Sequence, residues 1–282
     1  MYNSKEAGRN QLHLFNSEMN RRIAEMMDMK NRLARGLEHD QFFLLFQPQI
    51  DLRSHRLAGL EAFIRWRDPE KGPVSPLTFL RVAEETGLIV PLGTWILKTA
   101  CRQARTWQDA GLPPVRITVN LSARQFRAPG FVESVTEILG QNRLPPHLLG
   151  LEIKEATSAR ELDFVLRSLR RLKALGLHIA LDDFGTGTSS LGFLRSFPFD
   201  AVKIDVSLLH ETSTSEAGRL LVQSIIAAGH GLNLEVAAEG VESREQLDFV
   251  TRSGCDLAQG YLLAKPLPAD QIHPLLTKQS WT

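Results

Sequence analysis

From residue 41 onward, short apolar runs alternate with longer stretches of helical periodicity. The runs fall at 42–47, 57–64, 115–121, 149–153, 178–181, 201–204, 234–238 and 256–261. Each has strand length and is bounded by turn or polar residues. Helix signals lie between most of them. Ser75 and Pro76 open one helix as N-cap and first residue, Gly87 closes it, and Gly111, Gly176 and Gly254 stand where C′ residues belong. Eight strands with intervening helices predict an α/β fold, a (β/α)8 barrel. Only about six polar residues, 51–56, join the first two strands, whereas a parallel crossover needs a dozen or more. The first strand is therefore expected to run antiparallel to the second. An open doubly wound sheet is the competing architecture, but no Gly-rich phosphate fingerprint follows the first strand.

The first 40 residues read differently. Met19, Ile23, Met26, Met27, Leu33 and Leu37 recur at roughly helical spacing in a segment rich in Met, Arg and Glu. A linker helix and a helix packed on the main core both fit that pattern. The expected organisation is an N-terminal helical segment over 1–40 and a barrel over 41–282.

Composition narrows the function. At 282 residues and 43% hydrophobic content, the chain can bury one large core. Its 33 Lys and Arg nearly balance 32 Asp and Glu, so no overall positive field exists to hold a DNA or RNA polymer. The two cysteines, Cys101 and Cys255, match no metal or redox spacing and point to a reducing compartment. The polar N-terminus lacks an apolar signal core, and no run reaches the roughly 18 apolar residues of a membrane span. A soluble, cytoplasmic piece without membrane contact is expected.

Strand propensity does not explain the polar residues at the strand ends. Glu61 lies in LAGLEAFIRW, Asn120 ends ITVNLS, Glu152 sits in LGLEIKE, Asp182 and Asp183 follow IAL, Lys203 and Asp205 lie in VKID, and Glu239 follows EVAA. All are in or at the C-terminal parts of predicted strands, where barrel enzymes assemble their sites. Any one acid could simply cap the helix that follows. Converging together, however, the carboxylates need positive charge to stay ionised. An oxygen-only donor set without His or Cys suits Mg²⁺ or Mn²⁺ and argues against structural zinc. Two such ions would polarise a water and a phosphoryl oxygen together, which makes phosphodiester cleavage the first chemical expectation.

In order, FQP, LEAFIRW, PLTFLRVAEETGLI, VNLS, LEIKE, DDFGTGTSSL, VKID, AAEGVE and QGYLLAKP resemble the motifs of the EAL-domain cyclic-di-GMP phosphodiesterases. The likeness runs from about residue 41 to 268. It implies a modified TIM barrel with an antiparallel first strand, and metal-dependent hydrolysis of cyclic-di-GMP to linear pGpG. By resemblance Glu61, Asn120, Glu152 and Asp182 bind a first ion, and Asp182 with Asp183 a second. Glu239 corresponds to the general base, and Lys203 orients the attacking water. Gln47, Arg65, Asp205, Gln259 and Tyr261 match positions associated with the dinucleotide. Glu155 matches an acid that steadies a loop linking the active site to a homodimer interface. The segment before residue 16 resembles the tail of a GGDEF domain, which implies upstream GGDEF or sensor domains. The pattern is broken at Phe63, Lys154, Thr188 and Lys265, and side-chain alternation puts Lys154 on the same side of its strand as Glu152. A catalytically silent EAL domain, acting as a cyclic-di-GMP receptor or a protein-interaction regulator, is the alternative.

Overall fold

The computed structural model of the protein describes residues 3–154, 162–185, 191–278 and 280–281, with side chains from residue 19 onward except 155–164 and 186–193. The strands are β1 (Phe42–Asp51), β2 (Leu57–Asp68), β3 (Gly72–Val74), β4 (Arg116–Leu121), β5 (Leu149–Lys154), β6 (His178–Phe184), β7 (Ala201–Ile204), β8 (Glu235–Ala238) and β9 (Leu257–Ala258). The helices are α1 (Asn3–Glu38), α2 (Pro76–Thr86), α3 (Ile89–Asp109), α4 (Ala123–Phe126), α5 (Phe131–Asn142), α6 (Leu162–Leu175), α7 (Leu191–Ser196), α8 (Val206–Glu211), α9 (Glu216–Gly231), α10 (Arg244–Arg252) and α11 (Ala269–Leu276). Two units emerge, Met1–Phe43 with Arg65–Leu92, and Leu44–Ile64 with Gly93–Thr282.

The second unit is the barrel. Its sheet order is β1-β9-β8-β7-β6-β5-β4-β2, and β1 also pairs with β2, closing the ring. β2 and β4 to β9 run parallel to their neighbours, while β1 is antiparallel to β9. The antiparallel first strand follows from the short hairpin. Asp51 Oδ1 accepts from the backbone N–H groups of Arg53 at 3.0 Å and Ser54 at 2.6 Å, and Asp51 N–H donates to the Arg56 carbonyl at 2.9 Å. That turn leaves no room for a crossover helix. Apolar residues at alternate positions, including Leu60, Ile117, Leu151, Ile179, Val202 and Val236, are buried in the strands. Each contributes about 1.5–3 kcal/mol by leaving water. Cys101 and Cys255 are buried and unpaired, as small hydrophobes are.

Four strands depart from the sequence pattern, β2 and β6 running on to Asp68 and Phe184 past the expected 64 and 181. β1 continues to Asp51 because Ile50 and Asp51 pair with Ala258 and Leu257. β9 stops at Ala258, short of the expected 261, because the chain turns at Gly260. A Cβ there would lie 2.1 Å from the Val241 carbonyl oxygen, an approach only glycine permits.

In the first unit, Arg32 Nη1 donates to Asp68 Oδ2 at 2.6 Å, with 6% and 2% of these side chains exposed. Trp66 stacks on Phe42 at 5.5 Å and meets Phe79 edge-on at 5.7 Å. Leu33 is buried while Met19, Ile23 and Met27 are exposed, so among the described side chains of α1 the packed face lies toward its C-terminus. Helix α2 starts after Ser75 with Pro76 as its first residue and ends on Gly87 in the left-handed region, as its sequence predicts. Short β3 was not legible; it pairs antiparallel with the end of β2. Among the described residues, no helix is long and apolar enough to cross a membrane.

Candidate active site

Parallel register brings the polar residues together at the C-terminal ends of the barrel strands. Asn120 on β4 pairs with Glu152 on β5, and Lys154 on β5 with Asp182 on β6. Glu61 lies near the end of the paired part of β2, and Glu239 directly follows β8. Asn120 Nδ2 donates to Glu61 Oε1 at 2.6 Å.

Lys203 on β7 is the hub. Its Nζ donates to Glu61 Oε2 at 2.9 Å, lies 2.6 Å from Glu152 Oε2 and contacts Glu239 Oε1. Only 3% of Lys203, 4% of Glu61 and 1% of Glu152 is exposed, against 22% of Glu239. Glu152 Oε2 meets this charge without an aligned hydrogen bond, from Lys203 or any other described donor. A buried carboxylate held by one ammonium keeps further lone pairs that could serve a second cation.

A second layer of glutamines holds Glu61. Gln259 Nε2 donates to Glu61 Oε2 at 2.9 Å and to Gln47 Oε1 at 3.0 Å, Gln49 Nε2 donates to Gln259 Oε1 at 3.0 Å, and Gln47 Nε2 donates to the Ala264 carbonyl at 2.9 Å. Gln49 was missed in the sequence. Its signal was a second polar residue two positions after Gln47, on the same face of β1.

Asp182 and Asp183 are adjacent, and a regular strand would send them to opposite faces. A register shift between Leu181 and Phe184 interrupts the β6–β7 pairing, and Asp183 takes φ +54°. Asp tolerates that conformation better than most residues. The Asp183 N–H donates to Asp182 Oδ1 at 2.9 Å. The bulge turns both carboxylates to one side. Lys154 Nζ contacts Asp183 Oδ2 and lies 3.7 Å from Asp182 Oδ2. Lys154 therefore reaches the site, on the Glu152 side that alternation predicts.

Two triads have one oxygen per residue within 4.8 Å of the others: Glu61, Glu152 and Glu239, and Asp182, Asp183 and Glu239. Glu239 is common to both, whereas the sequence resemblance gives the shared position to Asp182. The Lys203 contact accounts for this by drawing Glu239 between the two groups.

Burial and mutual repulsion dominate the titration of these acids. Burial, reinforced by the Glu61 charge, raises Glu152 well above the usual carboxylate range, and burial likewise raises Asp182. Burial pushes Glu239 up to about 7, although the Lys203 charge opposes it. Burial alone would lower Lys203, but the charges of Glu152, Glu239, Glu61 and Asp182 hold it well above the ordinary lysine value. Burial would raise Glu61, but the Lys203 charge and hydrogen bond bring it below its ordinary value. One lysine keeps Glu61 ionised, while Glu152, Asp182 and Glu239 hold their protons more tightly than ordinary carboxyls do, an effect that a divalent ion would oppose.

The other predicted residues fall into separate groups. Asp205 caps α8, accepting from the Ser207 N–H at 2.8 Å, and is within hydrogen-bonding reach of Asp183. The helix-cap reading thus holds for Asp205 without removing it from the cluster. Tyr261 is 58% exposed, with Lys265 Nζ 5.7 Å from its ring centre. Arg65 is half-buried on β2, in the first unit. Glu155 and Thr188 lie outside the described residues.

The family model for the EAL domain matches residues 30–266. The bifunctional diguanylate cyclase/cyclic di-GMP phosphodiesterase MucR of Pseudomonas aeruginosa is 42% identical over 272 residues, 96% of this chain and 40% of MucR. The cyclic di-GMP phosphodiesterase PdeR of Escherichia coli is 39% identical over 269 residues, 95% of this chain and 40% of PdeR. The chain thus spans about 40% of the length of these curated relatives. A solved structure of the PaMucR phosphodiesterase in complex with c-di-GMP superposes with a TM-score of 0.83 at 42% identity, covering 87% of this chain and 99% of that one. Matched over residues 30–266 by that family model, and 42% identical to MucR over 96% of its length, the chain belongs to the EAL domain family.

Proposed function

We propose that this chain is a cyclic-di-GMP phosphodiesterase, hydrolysing the cyclic dinucleotide to linear pGpG. The observation that carries this reading is the carboxylate cluster around Lys203, with a buried Glu152 oxygen lacking an aligned donor. It lies at the strand ends of a barrel like that of the PaMucR phosphodiesterase in its c-di-GMP complex. Glu61, Asn120, Glu152 and Asp182 would hold one ion, and Asp182 with Asp183 a second, Mg²⁺ or Mn²⁺ by donor chemistry. When bound, two such ions supply positive charge for the phosphate and acidify a water.

The residues of the chain have separable roles in this reading. Glu239 accepts the proton of the attacking water as its oxygen bonds to phosphorus. The phosphorus bond to the 3′ oxygen breaks, and that oxygen takes up a proton, so one water is consumed per bond. Lys203 keeps Glu239 oriented and balances charge on the phosphate. Gln259 and Gln47 position Glu61, while Arg65, Asp205 and Tyr261 contact the dinucleotide. We further place the chain in the cytoplasm, as a homodimer coupled through Glu155 and following GGDEF or sensor domains, with residues 1–40 as the connecting segment.

The test is incubation with cyclic-di-GMP and Mn²⁺ or Mg²⁺, with chromatography of the products and a chelator control. Metal-dependent pGpG is expected, and Glu239→Gln and Asp182→Asn should each lower kcat at least about 10²-fold. Full turnover by either variant overturns its assigned role. A second reading, a silent cyclic-di-GMP receptor, is favoured by Lys154 against Asp183. Intact nucleotide bound in the presence of metal would support it instead.

A further inference from the structure

The Asp182 and Asp183 group already holds a cation. Lys154 ends β5 in register with Asp182, and its ammonium contacts Asp183 Oδ2 at 3.7 Å from Asp182 Oδ2. The β6 bulge that turns both aspartates to one side also aims them at Lys154. Glu239 completes this triad of acids, and Asp205 lies beside Asp183. The charge on Lys154 is therefore faced by Asp182, Asp183, Asp205 and Glu239. We infer that Lys154 is a tethered monocation competing with the second divalent ion for Asp182 and Asp183, so that this chain binds that ion more weakly than it would without the lysine charge.

The physical reason is direct. An ammonium and a divalent ion cannot share the same carboxylate oxygens, so the ion must displace the lysine and lose the attraction of the neutralised acid. Lys154 has 59% of its side chain exposed, so displacement into water is open to it. Competition rather than a permanent block follows.

The inference rests on the two-ion reading above, and its experiment needs no turnover. Mn²⁺ is titrated into ion-free protein by calorimetry, with electron paramagnetic resonance detecting the coupled signal of an ion pair. Lys154→Met, which removes the charge but keeps the length, should tighten the second equivalent at least tenfold and bring the coupled signal in at lower Mn²⁺. Lys154→Arg, which keeps a positive charge, should follow wild type. Equal second-site affinity in wild type and Lys154→Met overturns the inference while leaving the phosphodiesterase reading standing. Absence of any second equivalent in all three proteins overturns both the competition and the two-ion site. Tightening by Lys154→Arg as large as that by Lys154→Met would assign the effect to shape rather than charge and overturns it too.

Discussion

The Lys203 ammonium lies 2.6 Å from Glu152 Oε2, with 3% and 1% of the two side chains exposed. A charge this deep survives because Glu61, Glu152 and Glu239 surround it, and the acids depend on it in turn. Lys203→Met should destabilise the ion-free protein by about 3–5 kcal/mol, the usual cost of leaving a buried charge without its partner. Thermal melts in chelator and in excess Mn²⁺ check this. The deficit should shrink with Mn²⁺, which restores positive charge to the same acids. An unchanged melt in chelator would contradict the central role of the lysine.

Glu239 makes stability depend on pH in a known direction. Its value rises from an ordinary 4.5 to about 7 in the folded, ion-free protein, so the folded state binds this proton more tightly than the unfolded state. Its contribution must fall as pH rises from about 4.5 to about 7 and stay flat above. Glu239→Gln removes the titration, so its melting temperature relative to wild type should climb across that window. The climb corresponds to at most about 3 kcal/mol. A difference independent of pH would mean that Glu239 keeps its ordinary value.

Gln259 supports Glu61 rather than meeting bulk solvent, being 5% exposed and donating to Glu61 Oε2 at 2.9 Å. Gln259→Leu should weaken divalent-ion binding about 10–100-fold, the usual effect of removing a group that orients a ligand. Calorimetric titration with Mn²⁺ reads this directly. Gln49→Leu acts one hydrogen bond further out and should cost less. An affinity unchanged by Gln259→Leu would leave the residue to the nucleotide alone.

In the first unit, Asp68→Ala removes the buried partner of the Arg32 guanidinium, leaving it the exposed Asp28 at 3.0 Å, and frees the turn at Glu70 and Lys71, whose N–H groups the other Asp68 oxygen accepts at 2.8 and 3.1 Å. A loss of about 3 kcal/mol or more is expected, read as a lowered urea midpoint. Arg32→Met with Asp68→Leu removes both charges and should recover much of it. If the double variant is as unstable as Asp68→Ala alone, the turn rather than the ion pair sets the cost.

Much of the site was legible because the barrel imposes a rule. The C-terminal ends of the parallel strands all meet at one mouth of the barrel, so Glu61, Asn120, Glu152, Asp182, Lys203 and Glu239 could be grouped from motif positions alone. Gln49 escaped because a lone glutamine in a strand carries no chemical signal until its partner Gln259, 210 residues away, is known. Lys154 was half legible: alternation indicates its side of β5, but only the β6 bulge decides that Asp183 is there to meet it.

Local spacing determined the elements of this protein. Runs of strand length, helix caps at Ser75 and Gly87, and a turn too short for a crossover were sufficient to specify a barrel with an inverted first strand, because each depends on neighbours in the chain. Tertiary structure alone decided which glutamines support Glu61, where β9 stops and which cation meets Asp183. Those outcomes depend on distances between strands far apart in sequence. There, ångström-scale shifts from a bulge or a glycine contact redirect a charged side chain without changing any local pattern.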